Sequence, residues 1–506
     1  MNKKFQKECE SSCEYILPDY LGDVKKLVMT TAKAVPSGEF DGDGEVECAG
    51  IVAYDVVYLD SENKLSSASF SSDYDFTFSK NGDNYVDAYV TTQLANFGVR
   101  LTGPRRMIAK ANVQSEICVM EKWEREETGS AFSVREEPEK ITRNLNIESA
   151  LFGERLEREY AEEVASLEGV SADDIEVITS NAYVRISESL PVENGVNIKG
   201  ELIVSAIIRT PDTSVFAIRR EIPFDETVSI SGANSDMTAM SDAVISSVNI
   251  GVSESENSTE LCANVIMEFK SVAFYNESVE VISDAYLKSK DTVAEYENIN
   301  ISTQVSAETK SESARIKIPI SSLDVGSLKE ILTLNQDFKG LTLKTEGNSP
   351  FFSGDVAFSG VACEISEDGE SNITSLKFNS PLTVNVNISC QNLDKCKLFA
   401  KISPAGCEWE IDGENLNLVI WYTISHSLSE EENVRCLASC DTVGDMEYEK
   451  KVSRISVYYP DENETLFDVA KKFHTSVADI AKDNMIAEPT ALGIPAKSGF
   501  KKLIIR

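Results

Sequence analysis

Three stretches of this chain repeat one order of sequence events at a spacing of about 150 residues, which points to a tandem of related units within its 506 residues. Each opens on a short amphipathic start: GDVKKLVMTTA (Asp23, Val24, Leu27, Val28), DDIEVITSNA (Asp174, Ile175, Ile178) and GSLKEILTLN (Leu328, Ile331, Leu332). Each continues into VECAGIVAYDVVYLDSENK, VNIKGELIVSAIIRTPDTS or FFSGDVAFSGVACEISEDGE, which align on Gly50, Gly200 and Gly354. These read as an alternating or wholly apolar strand, a polar turn and a second strand. A further hairpin rich in β-branched and aromatic residues closes each repeat, in the first around Val86, Tyr89 and a turn from Gly98 to Pro104. The expectation is a mainly β chain of three tandem β-sandwich-like domains.

Charged stretches set the boundaries. Residues 121–145 are dense in Glu, Lys and Arg and read as a solvated linker between a first domain at 14–120 and a second at 146–305. The second domain opens on ESALFGERLEREYAEEVASL, where Phe152, Leu156, Tyr160, Val164 and Leu167 predict one packing face of an acidic helix. A third domain at 306–450 follows, and 455–506 stand apart as a small α+β domain.

The net charge of -36 narrows the partners. A surface this acidic repels phosphate backbones and anionic lipids at long range, which argues against nucleic acid or a membrane surface as ligand and leaves basic protein surfaces open. No apolar core of signal-peptide length and no run of about eighteen apolar residues is present, so a cytoplasmic protein without a transmembrane segment is expected. Eleven cysteines, scattered and without a C-x-x-C pair, fit free thiols in a reducing compartment. Cys9/Cys13 and Cys436/Cys440 have the spacing of one helical face, but with His426 and His474 as the chain's two histidines a zinc site is short of partners. There is no phosphate-binding loop, nucleophile elbow or H-E-x-x-H helix, and His426 in a strand-like YTISHSL and His474 at a helix end suit no triad. The expectation is no catalysis and no cofactor.

The last fifty residues carry the most specific pattern. Ile455, Val457, Tyr458 and Tyr459 predict a strand that Pro460 ends. Thr465 with Asp468 is a capping box, and Leu466, Val469, Ala470 and Phe473 give one apolar stripe of a helix. Ser476 with Asp479 caps a second, shorter helix bearing Val477, Ile480 and Ala481, which stops at Asn484. Leu503 to Ile505 close as a strand. The stretch ENETLFDVAKKFHTSVADIAKDN within this β-α-α-β order resembles a LysM module. That resemblance implies a groove for N-acetylglucosamine-containing glycans such as peptidoglycan at Asn463, Glu464, Thr465, Leu466, Asn484, Met485 and Ile486. Asn463-Glu464 stands where the family commonly has Gly-Asp.

The opening YILPDYLGDVKKLV, with Leu17, Pro18, Asp19, Asp23, Val24 and Lys26, resembles the first copy of a repeat found in clostridial proteins. Such β repeats followed by a LysM module resemble the SipL family, the SpoIVA-interacting proteins of spore coat assembly. The resemblance implies a non-enzymatic scaffold in the mother-cell cytoplasm, at the forespore surface. Its implied partners are the SpoIVA-like ATPase that polymerises there, engaged through the LysM-like helices, and other spore coat proteins. Leu466 and Phe473 fall on the core stripe, so Phe467 is the expected apolar contact. A reader of peptidoglycan or cortex glycan is the alternative.

Overall fold

The computed structural model describes residues 2–42, 45–79, 85–121, 136–211, 214–255, 258–365, 371–390, 392–445, 455–461, 464–486 and 502–506. Among them the chain is mainly β, built as antiparallel sheets with two α-helices near the C-terminus. Strand formation follows from the period of the side chains. In Glu45–Asp60, Val46, Cys48, Val52, Tyr54 and Val56 are buried while Glu45 and Glu47 face out, so one face must be covered.

The strands fall into three sets, each built on a three-stranded meander. Each set has a three-stranded meander: Val24–Gly42, Glu45–Asp60 and Leu65–Ser79; Glu176–Val192, Gly195–Arg209 and Val215–Ser229; Ser327–Glu346, Ser349–Ile365 and Ser371–Asn385. Each meander shares a core with a second sheet, in which the strand before the meander lies beside the set's last strand. In the first set the order is Asn2–Ile16, Arg106–Glu121, Tyr85–Gly103. In the third it is Lys290–Pro319, Asn415–Asp445, Cys396–Asp412. In the second, Glu139–Phe152 and Leu156–Glu168 both pair with Ser258–Tyr286, whose other neighbour is Thr238–Glu254. The first core joins Val52, Tyr54 and Phe76 of the meander to Ala109, Val113 and Ile117 opposite.

The acidic helix expected at 148–167 is not formed; the segment is the end of one strand and the whole of the next. Leu156, Tyr160 and Val164 are spaced by four, which suits a helix face but equally suits one side of a strand. A β-bulge opposite Leu261/Cys262 then moves the inward parity from even to odd numbers, so Leu167 points to the same core as Leu156. The expected linker is also partly a strand, since Glu139–Phe152 begins inside it, while residues 122–135 lie outside the described residues. The expected boundary at 305/306 falls within Lys290–Pro319.

The three amphipathic starts are strands too, and their pattern records bulges. Val28, Ile178 and Leu332 are each the extra residue of a bulge against the central strand of their meander. All three are buried in one apolar cluster, joined by Val57, Ile207 and Val361, each of which pairs with the residue just after its bulge. The three meanders therefore meet at equivalent places. Beside the cluster, Lys33 Nζ donates to Asn181 Oδ1 at 2.5 Å, and Asn181 Nδ2 donates to Asn335 Oδ1 at 2.6 Å, one residue from each meander. Gly50, Gly200 and Gly354 also hold equivalent positions, seven residues before Val57, Ile207 and Val361. A Cβ there would meet Val35 O at 2.5 Å, Arg185 O at 2.0 Å or Gly340 O at 2.7 Å, so the close strand approach requires glycine.

By internal contacts the chain divides into two compact units. One comprises Met1–Trp123, Ala150–Tyr275 and Val305–Ser429; the other Glu124–Ser149, Asn276–Gln304 and Glu430–Arg506. The second unit has its own apolar clusters, one of Leu145, Val281, Ile299, Ile301, Val434 and Cys436 and another around Ile282, Ala285 and Leu437.

Candidate docking module

Within the second unit, the described residues from 455 on follow the expected β-α-α-β order. Ser456–Tyr458 pairs antiparallel with Leu503–Ile505. Helix α1 spans Leu466–Phe473 and α2 spans Val477–Asp483. The capping chemistry is as the sequence predicts: Asp468 N donates to Thr465 Oγ1 at 3.2 Å, Thr465 N donates to Asp468 Oδ2 at 2.8 Å, and Asp479 N donates to Ser476 Oγ at 3.0 Å. His474 ends α1 in the left-handed region at φ 53, where a residue other than glycine is uncommon. Lys471 and Lys472 in the last turn of α1 face its negative dipole end.

Helix α1 is seated on the end of Ser258–Tyr286 and on Lys290–Pro319 rather than free. Phe467 is only 2% exposed and meets Tyr286 edge to face, which corrects the expectation that it is an open contact. Its i+1 offset from Leu466 places it on the flank of the stripe, and the ring of Tyr286 covers that flank. The Tyr286 hydroxyl donates to Thr475 O at 2.6 Å. Lys471 Nζ donates to Asp284 Oδ1 at 2.6 Å and to Tyr296 Oη at 3.1 Å. Burial opposes the Lys471 charge, but the bonds to Asp284 and Tyr296 outweigh it, and its pKa lies above the ordinary lysine value. His474 Nε2 lies 3.3 Å from Asp291.

The groove residues implied by the glycan resemblance are mostly engaged within the module. Asn463 lies outside the described residues. Glu464 accepts from the Tyr458 hydroxyl at 2.8 Å and from Asp461 N at 3.1 Å. Thr465 is held in its capping box, and Leu466 and Ile486 are buried. Asn484 ties α2 to the last strand: its Nδ2 donates to Ile480 O at 2.8 Å and Ile504 O at 2.7 Å, and its Oδ1 accepts from Ile504 N at 2.7 Å. Met485 is the exception, 93% exposed with φ 56. The sequence reading did not single out the exposed row formed by Ile455, Val457 and Tyr459, although their alternation puts them on one strand face. Residues 455–506 carry seven acidic and seven basic side chains, so this module is neutral on a strongly acidic chain.

Neither His426 nor Cys407 is open to solvent. His426 is buried in Asn415–Asp445, and burial lowers its pKa. Cys407 donates to Leu334 O at 3.2 Å, and burial pushes its thiol up to about 12, far from a nucleophile's range. Among the described residues no cluster of three or more His, Cys, Asp or Glu has metal-site geometry, and no helix is long and apolar enough to cross a membrane.

Residues 174–253 match the family model described as SipL, SPOCS domain. The match covers the second meander and nearly all of Thr238–Glu254. It supports a SipL-like, sporulation-related protein. No curated protein and no solved structure matches the chain.

Proposed function

We propose that the chain is a non-enzymatic sporulation scaffold that binds the SpoIVA-like coat-polymerising ATPase through its C-terminal LysM-like module and helps place the spore coat at the forespore surface. The family match at 174–253 carries this reading. The match falls on one of three strand sets that each carry a three-stranded meander, which supports reading all three as copies of one domain. With Phe467 covered, the contact falls to the exposed row Ile455, Val457 and Tyr459 and to Met485. The acidic remainder keeps the scaffold apart from non-specific anionic surfaces until the module docks. A glycan groove is the weaker reading, because the amide of Asn484 and the hydroxyl of Thr465 are already spent on the module's own backbone and caps.

The test titrates the full chain with the organism's coat-polymerising ATPase and, in parallel, with chito-oligosaccharides. Saturable ATPase binding that a Val457→Asp/Tyr459→Asp double variant loses, with no glycan response, is the expected result. Glycan binding without ATPase binding overturns the scaffold reading.

A further inference from the structure

A cavity of about 50 Å³ lies among the three strand sets of the first unit. One wall is the strand pair Thr238–Glu254 and Ser258–Tyr286, where Asp242 stands opposite Lys270 and Val244 opposite Glu268 on one face. The facing wall is Pro36, Tyr74, Val90 and Thr92 of the first set, and Lys401 of the third set completes it. We propose that this cavity is a binding site for a small zwitterion, a free α-amino acid of the size of glycine.

The charges of the wall call for a ligand that carries both signs. Lys401 Nζ donates to Asp242 Oδ2 at 2.7 Å, and both side chains are mostly covered. Glu268 is buried and paired with Arg155. A ligand with one charge sets that charge against its like on one end of the Asp242–Lys401 pair, away from bulk water, where such contact is costly. A zwitterion lying antiparallel to the pair puts its ammonium on Asp242 and its carboxylate on Lys401.

Tyr74 supplies the remaining polar group. It is buried, and its hydroxyl reaches over the gap that Gly50 leaves, where a Cβ would sit 2.4 Å from Oη. The hydroxyl approaches Thr92 without closing a hydrogen bond, and Thr92 Oγ1 is already engaged with Ser115 Oγ at 3.2 Å. A buried hydroxyl left without a partner is costly, so a ligand oxygen that accepts from it gains affinity. Burial pushes the Tyr74 phenol up to about 12, which keeps it protonated and able to donate to a carboxylate. Size sets the limit on the side chain. A water takes roughly 10–15 Å³ of such space, so about four water-sized groups fit beside Pro36, Val90 and Val244, which admits glycine and excludes bulky amino acids.

The test titrates glycine into the native full-length chain by calorimetry, with acetate and methylammonium as single-charge comparisons. The expected result is saturable binding of glycine that is weakened about fivefold to tenfold in Tyr74→Phe and lost in Val244→Phe, whose ring fills the cavity. Thermal unfolding of each variant checks its fold, and Tyr74→Phe, which removes a single oxygen, keeps the test decisive if Val244→Phe does not fold. No saturable binding of glycine, or binding unchanged in Tyr74→Phe, shows the proposal to be wrong. Acetate or methylammonium binding as tightly as glycine overturns it as well, because one charge then suffices.

Discussion

The rings of Tyr286 and Phe467 meet edge to face with centroids 5.1 Å apart and planes at 74°. The pair anchors helix α1 to a strand that ends far back in the sequence. Replacing Phe467 by alanine removes the buried ring and is expected to cost about 3–5 kcal/mol of the second unit's stability. Tyr286→Phe keeps the ring but deletes the bond to Thr475 O, for about 0.5–1.5 kcal/mol. Hydrogen exchange of the α1 and α2 amides, read in both variants, should show the larger loss of protection in Phe467→Ala. Equal protection in that variant and the wild type would mean that the ring does not hold the helix.

Gly200 tests the tight strand approach. Alanine there places a Cβ 2.0 Å from Arg185 O and 2.6 Å from the Phe224 ring, so a loss of about 1–3 kcal/mol or more is expected in denaturant unfolding. Gly98→Ala is the control, since nothing lies within 4 Å of its Cβ position. Its midpoint should stay unchanged or rise slightly.

The shared apolar cluster makes a different demand. Leu332→Ala empties volume where three meanders meet, and a cost of about 2–5 kcal/mol is expected. The signature is its reach: protease sites in the first and second meanders should open along with those in the third. Cleavage confined to the third would show that the cluster does not couple them.

Asp337, half-buried, and His426, buried, set opposite pH responses. Burial raises Asp337 to about 6, so at pH 7 its ionised form weakens the fold, and that penalty fades as pH falls through about 6. Asp337→Asn should therefore stabilise the chain by about 1–3 kcal/mol at pH 7 and have little effect near pH 4. His426 is held neutral by burial, with its pKa below 6.5. The unfolded chain takes up that proton first, so stability falls as pH drops below 6.5, and His426→Gln should flatten that part of the profile. Thermal unfolding from pH 4 to 8 reads both.

Strand content and the equivalence of Gly50, Gly200 and Gly354 were legible because a period of two and a glycine beside a bulge leave local marks in sequence. The caps at Thr465 and Ser476 were legible for the same reason, as each is decided within four residues. The segment from Ala150 to Leu167 misled because a four-residue apolar spacing satisfies both periods and a bulge then shifts the parity. The burial of Phe467 was illegible in principle: it depends on Tyr286, and nothing near Phe467 announces a partner so remote in the chain.

The cluster of Val28, Ile178 and Leu332 also sets a timetable for synthesis. Each meander is completed by neighbours in sequence, but the corner where the three join stays greasy and open until the last contributor leaves the ribosome. At 5–20 residues per second, Leu65 waits roughly 15–60 s for Val361. During that interval a nascent chain bears a sticky apolar patch, and anything that shields it until Val361 arrives acts as a folding aid for this protein.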